Sequence, residues 1–470
     1  MALLAYRPMS SSVPLVAVAL PRPAAARAIL AAWEAGEAVL PLDPDAPEPE
    51  RKGVLAAARP THLLDGDGRR RLDGGQPAEA GVAAVVATSG TAGAPKVVEL
   101  GADAIRWSAR ATSAALEAGP GDRWLCCVPV HGVAGLAVLA RAWHTGLPVE
   151  VHERFDPAAV GAAAGRATLV SLVPAMLRRL LAAGEEASRF RRVLLGGGPV
   201  PADLAGEAQD RGVGLVRTYG LTETFGGMAH DGHPLPGAEV RIGGLWTTGA
   251  SPSGVGLPSR LGGPATGGRG SGVPGPEGEA DSEGVPDPQG EAHPQGEAHP
   301  QGETDPEGEI LVRGPMLFRR YRGDPDRTAA ALHDGWLHTG DLGRVGPDGR
   351  LVVLGRLDDL VVSGGVNVHP DEVEAVLATH PGVAEVAVAG RADPEWGQRV
   401  AAFVVPRDPA RPPTLEELRA FTRERLAAAK APRELVLVPA LPRGPSGKLL
   451  RRLLPDGEAH IDAGLGRHLP

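Results

Sequence analysis

Residues 88–96 read TSGTAGAPK, from Thr88 to Lys96. The apolar run GVAAVVA (81–87) comes immediately before and predicts a buried strand. The chain then breaks into hydroxyls and glycines. Gly90 and Gly93 let successive backbone N–H groups turn toward one point, Thr88, Ser89 and Thr91 add hydroxyl donors, and Lys96 adds a point charge. Such a concavity suits a polyphosphate. The same composition describes a solvated surface loop, and on this stretch alone both readings stand. A Walker loop is excluded, because that pattern needs Gly-Lys-Ser/Thr and here Pro95 precedes Lys96. GPSGK (444–448) fails too, with Leu449 after the lysine and Pro442 in place of the first glycine.

Outward from the loop, the chain has 470 residues, room for about two to four domains. Lys plus Arg total 48 against 57 Asp plus Glu, a net charge of −9 with no basic surplus to hold nucleic acid. The two cysteines, Cys126 and Cys127, are adjacent in the apolar run WLCCVPV. Neighbours on a strand point to opposite faces, so they read as buried thiols and not a disulfide, which fits a reducing cytoplasm. No apolar run approaches the ~18 residues of a membrane span. The start contains PLVAVALP, too short and too proline-bracketed for a signal peptide; a strand followed by the helix PAAARAILAAWEAG is expected.

Residues 1–245 alternate Val/Leu-rich strands (PLVAVAL, AVLPL, VAAVVA, RWLCCVPV, LPVEV, ATLVSLVP, RRVLLGG) with Ala-rich helices such as DAIRWSARATSAALEAG. That alternation predicts α/β layers with largely parallel strands. Residues 251–308 then hold 15 Gly and 10 Pro in 58 positions, with PQGEAH repeated at 288–293 and 294–299 and varied as PQGETD at 300–305. Such a segment cannot bury a core and reads as a disordered insertion in a surface loop. Texture returns at GEILVRGPMLFRRY (308–321), followed by GRVGPDGRLVVLGR (343–356), a strand pair turning at Pro-Asp-Gly. The last part reads as a small unit with the helix HPDEVEAVLATHPGV, the strands VAEVAVAGR and RVAAFVVP, and a second helix opened by a capping box, Thr414 to Glu417. The expected boundary puts 1–357 in a large N-terminal domain and 358–470 in a small one.

Further motifs lie in order: GGGPVP (196–201), RTYGLTET (217–224), GWLHTGDLG (335–343), GRLDDLVVSGG (355–365) and PRGPSGKLLRR (442–452). With TSGTAGAPK, this set resembles the adenylate-forming superfamily of acyl-CoA synthetases, luciferases and peptide-synthetase adenylation domains. The resemblance spans nearly the whole chain apart from the insertion. It implies a large layered α/β N-terminal domain and a small mobile α+β C-terminal domain, with ATP and CoA as substrates, a small carboxylic acid as acyl donor, and Mg²⁺ as cofactor. It implies that Thr88, Ser89, Gly90, Thr91, Gly93 and Lys96 grip the ATP phosphates, and that Gly196, Gly197 and Gly198 line the adenine pocket. Tyr219 would stack near the adenine, beside Gly220. Thr222 would touch a phosphate, and Glu223 would ligate Mg²⁺, a hard cation that prefers carboxylate oxygen. Asp341 would accept hydrogen bonds from the ribose hydroxyls, with Arg356 a second ribose or phosphate contact. Lys448 would be the catalytic lysine, stabilising charge as a carboxylate attacks the α-phosphate and pyrophosphate leaves. Asp358 would be the hinge of the small domain, with Gly364 and Gly365, after Ser363, facing the CoA arm. Each residue also has a plain reading: a helix cap at Thr222, a turn at 196–198, a turn aspartate at 341, a surface arginine at 356, a solvated lysine at 448 and an ordinary linker at 358.

Within the superfamily, VPVHGVAGLAVLARAW (128–143) and ATLVSLVPAMLRRLL (167–181) resemble the o-succinylbenzoate–CoA ligases of menaquinone biosynthesis. His131 stands where those ligases carry a histidine near the acyl and CoA tunnel; a satisfied core histidine is the alternative. Ser171 and Arg178 are seven apart, which predicts one helical face. One carboxylate of such a diacid stays ionised while the other is activated, and a buried anion needs a cationic or hydrogen-bonding partner. Arg178 could supply it, as could Arg179 next door. Ala92, Val97, Ala175 and Met176 depart from the family's usual residues at their positions. Another aryl- or fatty-acyl-CoA ligase and a non-catalytic nucleotide-binding relative remain as alternative functions. The expected setting is the cytoplasm, without nucleic acid or a membrane span, and a homodimer is the candidate assembly.

Overall fold

The computed structural model describes residues 11–88, 95–243, 307–363, 366–443 and 449–455. The insertion expected at 251–308 lies outside them as far as residue 306; Gly308 already opens the strand Gly308–Arg313.

Among the described residues, two seven-stranded sheets dominate the first half. One runs, in spatial order, Arg320–Tyr321, Lys96–Gly101, Val82–Thr88, Ala38–Pro41, Leu15–Val18, His62–Asp65, Gly68–Arg71. Its middle strands are parallel and its margins antiparallel. The other runs Val149–Val151, Trp124–Cys126, Leu169–Leu172, Arg192–Leu195, Leu215–Leu221, Gly226–His230, His233–Pro234, and its first five strands are parallel. Every strand expected from the Val/Leu-rich runs is present, as are the early helix Arg22–Glu34 and the helix Ala102–Ala115.

The helices Ala102–Ala115 and Val133–Thr145 pack on each other, and each touches strands of the second sheet. From Gly135 to Ala142 the second helix is buried at every position. A helix with apolar residues on every side belongs inside, and all of that run except Gly135 and Arg141 joins the largest core cluster together with Val86, Leu100, Phe225 and Met228. Cys126 and Cys127 are both buried free thiols, the first in this cluster and the second in the cluster beneath the other face of the sheet. Adjacent strand positions thus serve opposite faces, as the alternation requires.

A third sheet joins Glu239–Ile242, Gly308–Arg313, Trp336–Val345 and Leu332–His333, with Leu351–Arg356 paired to Trp336–Val345 around the expected Pro-Asp-Gly turn. A turn at 357–360 leads to Val361–Ser363, the first strand of a fourth sheet with Val366–Val368, Gly397–Pro406, Val383–Asp393 and Glu434–Leu437. The helices Pro370–Leu377 and Leu415–Arg423 cover it, and the second carries the reciprocal capping box between Thr414 and Glu417.

One expectation is overturned. Ser171 and Arg178 do not share a helical face: Ser171 is in the strand Leu169–Leu172, and Arg178 is in the helix Pro174–Ala182. The break is local chemistry. Pro174 occupies the first turn, where its missing N–H costs nothing, and it holds Val173 extended at φ −102°, ψ 159°.

Candidate active site

The antiparallel pair Trp336–Val345 and Leu351–Arg356 sets Asp341 directly opposite Arg356. Arg356 Nη1 donates to Asp341 Oδ1 at 2.6 Å, and Tyr219 Oη donates to Oδ2 at 2.7 Å. The buried carboxylate is therefore partnered at both oxygens, with lone pairs left for further donors. Burial and the adjacent Asp341 charge push the Tyr219 phenol well above its ordinary pKa, so it stays a donor. Burial opposes the Arg356 cation, but Asp341 outweighs it and raises the guanidinium pKa. Tyr219 comes from the second large sheet, so residues 122 positions apart in sequence meet here.

A second cluster gathers Lys96, Glu223 and Tyr321. Lys96 pairs with Thr88 across the two strands that flank the loop, so both residues stand at its stem. Lys96 Nζ lies 3.4 Å from Glu223 Oε1, and Tyr321 Oη donates to the same oxygen at 2.7 Å. The Lys96 ammonium also sits 5.0 Å from the Tyr321 ring centroid. Glu223 Oε2 accepts no bond from the described residues. In the 3-10 turn Thr222–Thr224, Thr224 Oγ1 does the capping, accepting from Leu221 N at 2.9 Å, and the Thr222 hydroxyl has no partner among the described residues. The helix-cap reading of Thr222 does not hold.

Close approach explains two glycines. A Cβ on Gly220 would stand 1.8 Å from the carbonyl oxygen of Gly226, and one on Gly196 would stand 2.6 Å from Thr218 Cγ2. The bend 196–198 follows the strand Arg192–Leu195, and Gly197 and Gly198 are exposed at its crest.

On the acyl side, His131 sits in the turn before the helix Val133–Thr145, with Nε2 3.7 Å from Asp43 Oδ2. Burial lowers its pKa, with Asp43 opposing, so the ring is neutral near pH 7. Arg178 is exposed and ion-paired to Asp203 at 2.9 Å, and Arg179 stacks 5.1 Å from the Phe155 ring centroid. The cation beside Ser171 is instead Arg141, whose Nη1 donates to Ser171 Oγ at 3.1 Å. Arg141 is 3% exposed, lies over the Trp124 ring and leaves Nε without a partner. Among the described residues no carboxylate pairs with it, and burial lowers its pKa to about 10. A buried cation without a counter-ion costs several kcal/mol, which an arriving carboxylate would offset. The sequence reading missed Arg141; the signal was a lone charge inside the apolar helix AVLARAW. It also missed Tyr321, for which LFRRY offers no local mark.

Ser89, Gly90, Thr91, Gly93, Gly364, Gly365 and Lys448 lie outside the described residues. Asp358 is in the turn at 357–360. For Mg²⁺, no cluster of three or more His, Cys, Asp or Glu occurs among the described residues. A single carboxylate with one uncommitted oxygen, Glu223, nevertheless suits an ion that takes its other ligands from phosphates and water. No described helix is long and apolar enough to cross a membrane.

The family described as AMP-binding enzyme matches residues 72–256, and the AMP-binding enzyme C-terminal domain matches residues 372–448. The 2-succinylbenzoate–CoA ligase of Geobacillus kaustophilus is 35% identical over 79% of this chain and 69% of its own length. The probable 2-succinylbenzoate–CoA ligase of Mycobacterium tuberculosis is 37% identical over 81% of this chain and 85% of its own. The o-succinylbenzoate CoA synthetase of Bacillus subtilis superposes in its acyl-adenylate complex with a TM-score of 0.74 at 28% identity, covering 94% of this chain and 88% of that one. In its complex with ATP and magnesium ion the TM-score is 0.73 at 27% identity, covering 94% and 89%. The chain belongs to the AMP-binding enzyme family, in the branch that contains the 2-succinylbenzoate–CoA ligases.

Proposed function

We propose that this protein is an ATP-dependent acid–CoA ligase that makes o-succinylbenzoyl-CoA, the thioester of menaquinone biosynthesis, through an acyl-adenylate. The observation that carries the reading is convergence. Lys96 meets Glu223, and Asp341 meets both Tyr219 and Arg356, although these residues come from motifs spread over most of the chain.

In the first half-reaction a carboxylate oxygen of the acid bonds to the α-phosphorus, the α–β bridging P–O bond breaks, and pyrophosphate leaves. Asp341 and Arg356 hold the ribose, Tyr219 supports Asp341, and the bend Gly196–Gly198 with Gly220 frames the base. Thr88, Ser89, Gly90, Thr91, Gly93, Lys96 and Thr222 meet the phosphates. Glu223 would hold Mg²⁺ through Oε2, and the ion when bound offsets phosphate charge. Lys448 stabilises the charge that grows on the α-phosphate and pyrophosphate. In the second half-reaction the CoA thiol gives up its proton to solvent, its sulfur bonds to the acyl carbon, the acyl C–O bond to the phosphate breaks, and AMP leaves. We assign Asp358 as the hinge between a domain of residues 1–357 and one of 358–470, with Gly364 and Gly365 on the CoA side and His131 beside the acyl tunnel.

For the acid, the supporting feature is Arg141. A monocarboxylic substrate spends its only carboxylate in the reaction, whereas a diacid keeps a second one for a buried cation. Arg141, with Ser171, fits that need better than Arg178, which is exposed and already paired. The two buried free thiols suit a cytoplasmic setting, and light scattering would test a homodimer.

The deciding experiment is thioester formation with MgATP, CoA and o-succinylbenzoate, beside benzoate and medium-chain fatty acids. Preference for the dicarboxylate is expected. Preference for another acid would keep the mechanism and overturn the substrate, and ATP binding without turnover on any acid would overturn the enzyme.

A further inference from the structure

The strand register sets a row of side chains under the helix Val133–Thr145. Ser171 stands beside Leu194, Leu194 beside Val216, and Thr218 beside His230. Register partners share a face, and so do residues two apart on one strand. Ser171, Val216, Thr218 and His230 therefore line one face of the second large sheet. Arg141 reaches down to that face, since its Nη1 donates to Ser171 Oγ. The helix also touches the strand Gly226–His230. Ala137, one turn before Arg141 and on the same side of the helix, lies 3.8 Å from where a Cβ on Gly226 would stand.

This face carries several polar atoms without partners. His230 is 8% exposed, and neither of its ring nitrogens has a partner among the described residues. The same is true of Thr218 Oγ1 and Arg141 Nε. The Thr218 hydroxyl sits where a side chain on Gly227 would go: a Cβ there would stand 2.0 Å from Thr218 Oγ1 and 3.6 Å from His230 Nε2. Burial and the Arg141 charge lower the His230 pKa to about 4, with Asp231 opposing, so the ring is neutral and carries one N–H donor. Buried polar groups in a folded chain are nearly always partnered. A cation, an imidazole N–H and a hydroxyl have one need in common, an acceptor, and an ionised carboxylate is acceptor-only.

We infer that His230 is a specificity-determining residue for the acid: it donates its ring N–H to the spare carboxylate that Arg141 receives. The diacid is then held from the helix on one side and from the strand Gly226–His230 on the other, and two donors on one carboxylate fix its position as well as its charge. The inference rests on the role given to Arg141 above.

The test compares o-succinylbenzoate with a monocarboxylic acid that the enzyme turns over, reading kcat and KM by pyrophosphate exchange on full-length His230→Leu and His230→Gln. Leu removes the N–H with little change of volume, and Gln keeps a donor. His230→Leu should lower the preference for the diacid, as a ratio of kcat/KM values, about tenfold or more. The change should lie mainly in KM for the diacid, with KM for ATP within about twofold of the parent. His230→Gln should recover most of the loss. Should His230→Leu fold poorly, His230→Asn, with its donor on a shorter stem, gives the same comparison against Gln. An unchanged preference, a loss shared equally by both acids, or a Gln variant no better than Leu would overturn the inference. Preference lost in Arg141→Met but kept in His230→Leu would leave the acid assignment standing without His230. A parent enzyme that does not prefer the diacid would remove both.

Discussion

Asp341 and Arg356 are register partners across two antiparallel strands, and their side chains meet at 2.6 Å. The two residues stand in separate motifs, and the Pro-Asp-Gly turn between their strands brings them opposite. The same turn therefore builds a fold element and the pair proposed above for the ribose. Asp341→Asn keeps the shape but removes the charge that Arg356 and Tyr219 face. It should raise KM for ATP by roughly tenfold to a hundredfold, the value of a hydrogen bond to a charged group, as read by pyrophosphate exchange at varied ATP.

Arg141→Met should separate substrate recognition from chemistry. Loss of the guanidinium should raise KM for o-succinylbenzoate by roughly tenfold or more and leave turnover of a monocarboxylic acid unchanged. Thermal stability should hold or rise, because an unpaired buried cation is exchanged for an apolar side chain of similar length. Arg178→Ala should leave KM within about twofold, in keeping with a surface ion pair of small worth. Competition kinetics with paired mono- and dicarboxylic acids would read both effects.

Glu223→Gln should raise the Mg²⁺ concentration needed for half-maximal pyrophosphate exchange, since a neutral amide is a poorer ligand for a hard cation. Tyr321→Phe should shift the same titration less, because it removes only the donor that orients Glu223 Oε1. No change in the Mg²⁺ dependence of either variant would remove Glu223 from the metal site.

The cluster around Arg451 should leave a pH signature in stability. Burial raises the Glu374 carboxyl from 4.5 to about 7, and the neighbouring Asp371 charge adds to it, against the pull of the Arg451 guanidinium that donates to both carboxylates. Between those two values the folded chain holds a proton that the unfolded chain has released, so stability falls as pH rises from about 4.5 to about 7. Asp371, raised in pKa by burial, acts in the same direction. Glu374→Gln should flatten that part of a urea-midpoint profile against pH; an unchanged slope would show that Glu374 does not cause it.

Burial raises both cysteine thiols to about 12. They should therefore resist a disulfide reagent at pH 8 in the folded protein and react fully only in denaturant, since the thiolate is the attacking form. Rapid labelling without denaturant would contradict their placement on the two faces of the sheet.

Local features of the chain determined a good deal. Apolar runs marked the inner strands of the two large sheets, such as Leu15–Val18, Ala38–Pro41, Val82–Thr88, Leu169–Leu172 and Arg192–Leu195, because a strand covered on both faces avoids water along its whole length; marginal strands such as Gly68–Arg71 and His233–Pro234 carried no such mark. The capping box at Thr414 and the Pro-Asp-Gly turn were legible because their bonds close within a few residues. Pro174 is equally visible in the sequence, and it ends the helical periodicity on which a shared face for Ser171 and Arg178 depends. What only the tertiary structure decided is which charged side chain finds a partner. Arg178 and Arg141 are alike in sequence as basic residues near apolar ones. Asp203 folds against Arg178 from 25 positions away, whereas Arg141, in a helix enclosed in the core, meets no carboxylate among the described residues. Tyr321 on Glu223 and Arg451 on Asp359 are likewise contacts between elements distant in the chain. Periodicity tells each segment which side to bury; the packing of those sides against one another decides which charges are neutralised within the fold and which are left to meet a substrate.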